Sequence, residues 1–160
     1  MWWTGWNRRD TRAALAGLDV VEVEVEVGAA GSEDARPGIM LRGTDLPGPD
    51  EVPIEGRVAL LPSLDPTTMG WTARDWYLGA HKAAVFDTIG NAGATVWWEG
   101  RIVGAWVVRP GGEPAWRLLD DVGADGERAV AAEAERIAGL LGGDGVTASF
   151  PTPLYRELHA

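Results

Sequence analysis

The run ATVWWEGRIVGAWVV, residues 94–108, constrains the fold of this chain more than any other stretch. Two apolar segments, rich in β-branched and aromatic residues, flank Glu99 and Gly100. Segments of that kind joined by two loop residues form a β-hairpin. Strand alternation sends Trp97 and Trp98 to opposite faces, so one belongs to a core and the other lies more exposed. RPGGEP, residues 109–114, reads as a second turn, and AWRLLD, residues 115–120, as a third strand.

The flanking segments extend this pattern. RVALLPSL, residues 57–64, opens on a buried strand. Residues 124–141 form an amphipathic helix with Val130, Ala134, Ile137 and Leu141 on one face and a Glu133–Arg136 pair on the other. GVTASF, residues 145–150, reads as a last strand, and residues 151–160 as a tail. Upstream, Asn7 is an expected N-cap, with Asp10 at the third position of a helix running from Arg8 to Leu18, its apolar side carrying Leu15 and Leu18. VVEVEVEV follows, with Val21, Val23, Val25 and Val27 on one face and Glu22, Glu24 and Glu26 on the other, the pattern of a half-buried strand. A polar tip, residues 28–38, leads to IMLRG as the returning strand. Residues 44–56 hold three of the ten prolines and read as a linker. The order is helix and hairpin, linker, then antiparallel β with one packed helix. That is α+β. The β part has enough strands to curl into a small barrel.

Composition excludes several functions. The 160 residues contain no cysteine, which rules out disulfides, thiol nucleophiles and cysteine-type zinc sites, and fits a cytoplasmic protein. No apolar run is long enough to span a bilayer, and MWWTGWNRRD lacks the layout of a secretory leader. The net charge of −10 argues against nucleic-acid binding by overall charge. Its distribution matters more. Residues 1–12 set three arginines against one aspartate, whereas residues 13–56 set ten acids against two arginines.

LDPTTMGWTARDWYLGAHK, residues 64–82, is the densest polar stretch. A hydrolase reading would use Asp65, Asp75 and His81, with His81 the only histidine in an ordered-looking region. No Ser-His-Asp arrangement or metal-ligand set accompanies them. The scaffold reading comes first. Asp65 caps a turn at Pro66, Thr72 caps a short helix Ala73–Leu78, Gly79 stops it, and AHKAAVF continues helically. Asp75 could pair with Arg74 or Lys82. GNAG, residues 90–93, is a turn. The exposed one of Trp97 and Trp98, beside Arg101, could stack on a base or a sugar, although aromatic strand packing is the stronger reading. No glycine-rich stretch matches a phosphate loop. Arg8, Arg9 and Arg12 form the most functional-looking basic group. They open a helix that precedes a two-stranded wing, the second half of a winged-helix module. Glu22, Glu24 and Glu26 on that wing would repel phosphate.

WWTGWNRRDTRAALAGLDVVEVEV, LLPSLDPTTMGWTARDWYLG and GNAGATVWWEGRIVGAWVVRPGGEPAWRLLDDVG closely resemble the C-terminal part of winged-helix DNA-binding-domain proteins of bacteria. These are relatives of the AlkZ-like glycosylases that unhook DNA crosslinks. The resemblance implies a partial winged helix over residues 1–43, a linker over 44–56 and a β-barrel-like domain over 57–160. It implies double-stranded DNA as partner. It also implies a hairpin near the minor groove, matched here by the turn around Gly90, Asn91 and Gly93 or by the Glu99–Gly100 tip. Family members carry a catalytic Gln-x-Gln or Gln-x-Asp motif in their N-terminal half, and this sequence has no glutamine. The expectation is a truncated or split member that binds DNA without a catalytic residue of its own and without metal or cofactor. Arg8, Arg9 and Arg12 would contact phosphates, joined by Arg74, His81, Lys82, Asn91 and Arg101. A separate chain would supply the missing modules. The rival expectation is an interaction or homodimerisation module whose partner covers the Trp-rich hairpin.

Overall fold

The structure, a computed structural model, describes residues 5–26, 35–45 and 53–160. Trp2, Trp3, Val27, the hairpin tip and most of the proline-rich linker lie outside the described residues. The chain divides into two compact units, Met1–Pro53 and Ile54–Ala160.

The first unit contains helix α1 (Arg8–Ala16) and strands β1 (Val20–Glu26) and β2 (Ala35–Leu41). Asn7 caps α1 reciprocally. Its Oδ1 accepts from the Asp10 amide at 3.0 Å and its Nδ2 donates to the Asp10 carboxylate at 2.7 Å. Gly17 ends the helix two residues earlier than expected, and Leu18 is exposed instead of lying on an apolar helix face. β1 and β2 pair antiparallel from Val20 opposite Leu41 to Glu26 opposite Ala35. The returning strand therefore begins at Ala35, ahead of IMLRG. Val21, Val23 and Val25 are half-buried while Glu22 and Glu24 are exposed, as the alternation requires. Arg42 closes the base of the hairpin through Asp19, side chain to side chain at 2.9 Å and backbone to backbone at 2.8 Å.

The second unit runs β3 (Val58–Leu61), α2 (Pro66–Met69), α3 (Asp75–Leu78), α4 (Lys82–Val85), β4 (Thr95–Trp98), β5 (Arg101–Val108), β6 (Pro114–Leu118), α5 (Gly123–Leu141) and α6 (Pro153–His159). Its four strands form one antiparallel sheet in the order β3-β4-β5-β6. The molecule is thus mixed α and β, with two antiparallel sheets. The larger sheet is open, with β3 and β6 as edges, where a small barrel was expected. Both of its faces are covered by helices, and this burial takes the place of closure. α5 packs on one face over Leu60, Val96, Val103, Trp106 and Val108, through Val130 and Ala134. Tyr77, Leu78, Val85, Leu154 and Leu158 cover the other face, against Trp97, Ile102, Ala105 and Val107.

Residues 145–150 form no strand, which removes the segment that would have extended the sheet. The expected tail is helix α6. Thr152 caps it by accepting from the Tyr155 amide, Pro153 occupies the first turn, and Leu154 and Leu158, one turn apart, enter the core. His159 is therefore ordered as well. Its ring stacks on Tyr155 with centroids 4.9 Å apart.

A β-bulge explains how β5 serves two cores. Its pairing with β4 jumps from Val96–Gly104 to Trp97–Ile102, leaving Val103 as the extra residue. Val103 then points to the α5 side and Ala105 to the α6 side, so the alternation changes phase at Gly104. Gly104 is required there, because a Cβ would lie 2.2 Å from the Arg117 carbonyl oxygen. The connection between β4 and β5 is Glu99–Gly100 with both φ positive, the type I′ geometry of a two-residue hairpin.

Candidate nucleic-acid interface

Arg8, Arg9 and Arg12 occupy the first turns of α1 and are all exposed. Asp10, the acid among them, is held by Asn7, whose Nδ2 donates to its carboxylate and whose Oδ1 accepts from its amide. None of the three guanidinium groups forms an ion pair with another described residue. Helix spacing puts Arg8 and Arg12 on one side, one turn apart. On the neighbouring hairpin, Glu22, Glu24 and Arg36 line a shallow polar hollow.

In the second unit the expected residues divide into scaffold and free surface. Asp65 is an N-cap: its carboxylate accepts from the Thr67 amide at 2.8 Å. Thr72 does not cap α3, because that position falls to Arg74, which makes no side-chain cap. Gly79, at φ +57°, separates α3 from the single turn α4, so AHKAAVF does not continue the helix. Arg74 does not pair with Asp75. Its Nη1 donates to the Thr68 carbonyl at 3.1 Å and its guanidinium lies 4.9 Å from the Phe86 ring centroid. That makes it a half-buried brace. It also opposes the effect of burial on the Tyr77 hydroxyl, whose pKa burial raises.

His81 pairs with Asp120, Nε2 to Oδ2 at 2.8 Å, and not with Asp65 or Asp75. The bulge positions Asp120, since the Leu119 and Asp120 amides both donate to the Val103 carbonyl. The hydrolase trio is therefore not assembled. Among the described residues, no three His, Asp or Glu side chains form a metal-binding group.

Asn91 belongs to a built turn. The Asp87 carboxylate accepts from the amides of Ile89, Gly90 and Asn91 at 2.7–2.9 Å, and from Asn91 Nδ2 at 2.9 Å. Desolvation raises the Asp87 pKa, but the hydrogen bonds from Asn91, Ile89 and Gly90 outweigh it and hold the carboxyl below its ordinary value. Ile89 stands at the tip of this turn and is 82% exposed. At the other tip, Arg101 is exposed opposite half-buried Trp98, and Glu99 is occupied by the Gly56 amide at 3.0 Å.

The Trp-rich hairpin is largely covered by its own chain. Trp97 and Trp106 are buried, Trp106 donates to the Leu61 carbonyl at 2.9 Å, and Trp98 and Trp116 pack beside α5. α5 and the opposite helices cover this hairpin. An apolar cavity of about 420 Å³ beside Trp106, Leu141, Val146, Phe150 and Tyr155 has no charged lining residue, so it offers no cation to a phosphate. No helix among the described residues is long and apolar enough to cross a membrane.

Arg156 and Asp120 were missed by the sequence reading. Arg156 fell in the stretch taken as a tail, and Asp120 in the stretch taken simply as the end of a strand. The TP cap and the leucines at i and i+4 in TPLYREL were the available signal for α6.

A family model described as DNA glycosylase AlkZ-like matches residues 1–140. Comparison with curated proteins and with solved structures gives no match.

Proposed function

The chain belongs to the AlkZ-like DNA glycosylase family, and from that premise we propose that it is a DNA-repair-related protein that holds duplex DNA through its backbone. The observation that carries this reading is the set of unpaired arginines Arg8, Arg9 and Arg12 at the start of a capped helix. Exposed guanidinium groups with no carboxylate partner are what a phosphate backbone requires. α1 followed by the β1–β2 hairpin supports the reading of residues 1–43 as the end of a winged-helix module. The glutamates of β1 then belong to a face turned away from DNA.

The turn Asp87–Asn91 supports a second contact. It is stiffened by four hydrogen bonds to one carboxylate and carries apolar Ile89 at its tip, the form of side chain that probes a minor groove. Arg101 and Lys82 are further backbone contacts in this reading. His81, Arg74 and Asn91 act by positioning, since each is already engaged within the protein.

These 160 residues contain no glutamine, so a Gln-dependent base-excision step has no residue here. The proposed role of these residues is DNA holding, with any Gln-dependent catalysis supplied from outside them. The test is fluorescence anisotropy on duplex DNA. An Arg8→Ala/Arg9→Ala/Arg12→Ala variant should bind more weakly, with its salt dependence shallower by nearly one log unit per lost phosphate contact. Unchanged affinity and slope would refute this assignment.

A further inference from the structure

We propose that Lys82, Thr88 and Arg156 form a phosphate-binding hollow on the second unit, and that its ligand is the backbone of duplex DNA. This rests on the DNA-holding role and adds a site to it. The three residues line one surface depression of about 510 Å³ where α4 packs against α6, with Phe86 and Pro153 as its apolar wall. The lysine is the only one in the chain.

Charge accounting around the hollow isolates its two cations. Glu157, next to Arg156, is taken by Arg117 at 2.5 Å. Asp120 is taken by His81, the neighbour of Lys82. Asp87 also lines the hollow and keeps its negative charge, but three amides and the Asn91 side chain tie its oxygens into the turn, so the hollow sets two cations against one held carboxylate. Lys82 and Arg156 are exposed, and neither side chain has a partner among the described residues. Two unpaired cations beside the Thr88 hydroxyl supply a point charge, a planar fork and a neutral donor. Phosphate oxygens accept from all three. In a protein of net charge −10, two cations left unpaired while the adjacent Glu157 and Asp120 are paired elsewhere mark a local anion site on a repelling surface.

The test compares the full chain with a Lys82→Ala/Arg156→Ala variant on duplex DNA across a salt series. Both side chains are exposed, so the variant should fold as the parent does. Losing two phosphate contacts should make the log–log slope shallower by about 2, so that the parent loses about tenfold more affinity than the variant between about 50 and 200 mM salt. An Arg128→Ala control, which removes only a surface pair with Asp125, should leave the slope unchanged. A variant that binds DNA with the parental slope overturns the hollow while leaving the Arg8–Arg12 contact standing. If the parent shows no DNA binding, inorganic phosphate followed at the Thr88 amide by NMR separates the two ideas. A saturable shift lost in Arg156→Glu keeps the anion site, and no shift overturns it.

Discussion

Gly104→Ala should unfold the second unit at a markedly lower temperature. The added Cβ would lie 2.2 Å from the Arg117 carbonyl oxygen and 3.1 Å from both the Arg117 carbonyl carbon and the Leu118 Cα. These are backbone atoms of the adjacent strand, so no side chain can rotate away. A carbon–oxygen contact needs about 3.3 Å, so β5 and β6 must part by roughly 1 Å at this rung. Overpacking of this kind costs about 1–3 kcal/mol, and each weakened ladder hydrogen bond adds about 1 kcal/mol. The expected loss is about 2–4 kcal/mol, or roughly 10–20 °C in Tm for a unit of this size. The displacement also reaches the candidate interface, because Leu119 and Asp120 hang from the Val103 carbonyl and Asp120 holds His81. The assay is thermal unfolding followed by tryptophan fluorescence, with Gly139→Ala as control. Gly139 lies in α5 with open space around its Cβ position, so alanine there should stabilise by about 0.5–1 kcal/mol. A Gly104→Ala protein melting within about 2 °C of the parent would refute the close β5–β6 approach.

Leu158→Ala should cost about 2–5 kcal/mol in urea unfolding, since the side chain is 8% exposed in the core; a surface-like loss below about 0.5 kcal/mol would return α6 to a tail. Asp87 has a folded pKa below its unfolded one, so its contribution is present above the unfolded carboxylate range and fades as pH falls through the folded value. Acid titration of stability should therefore be flatter below about pH 4 in Asp87→Ala than in the parent, and parallel curves would contradict the role of the turn. Incubation with alkylated duplex DNA should yield no abasic sites from these 160 residues alone, and base release would contradict a holding role without catalysis.

Much of this architecture was legible where local chemistry decides it. Asn7, Asp65 and Gly79 announced caps and stops because each acts within four residues of itself. The hairpin at Glu99–Gly100 and helix α5 followed from periodicity. Failures came where tertiary partners decide. GVTASF has strand-forming residues but pairs with neither edge strand, β3 or β6, and α6 offers only a Thr-Pro cap and one i, i+4 leucine pair. The bulge at Val103, which inverts the faces of β5, leaves no local mark except Gly104. Of the candidate site, the basic character of Arg8, Arg9, Arg12 and Lys82 was visible in one dimension. Which cations remain free was not, because pairings such as His81–Asp120 and Arg117–Glu157 join residues about 40 positions apart.

The most direct measurement is the salt dependence of duplex-DNA binding by the intact chain. Arg8, Arg9, Arg12, Lys82, Arg101 and Arg156 acting on separate phosphates predict a log–log slope of about −5 to −6. A slope near zero, or no binding at low salt, would contradict DNA holding by these cations.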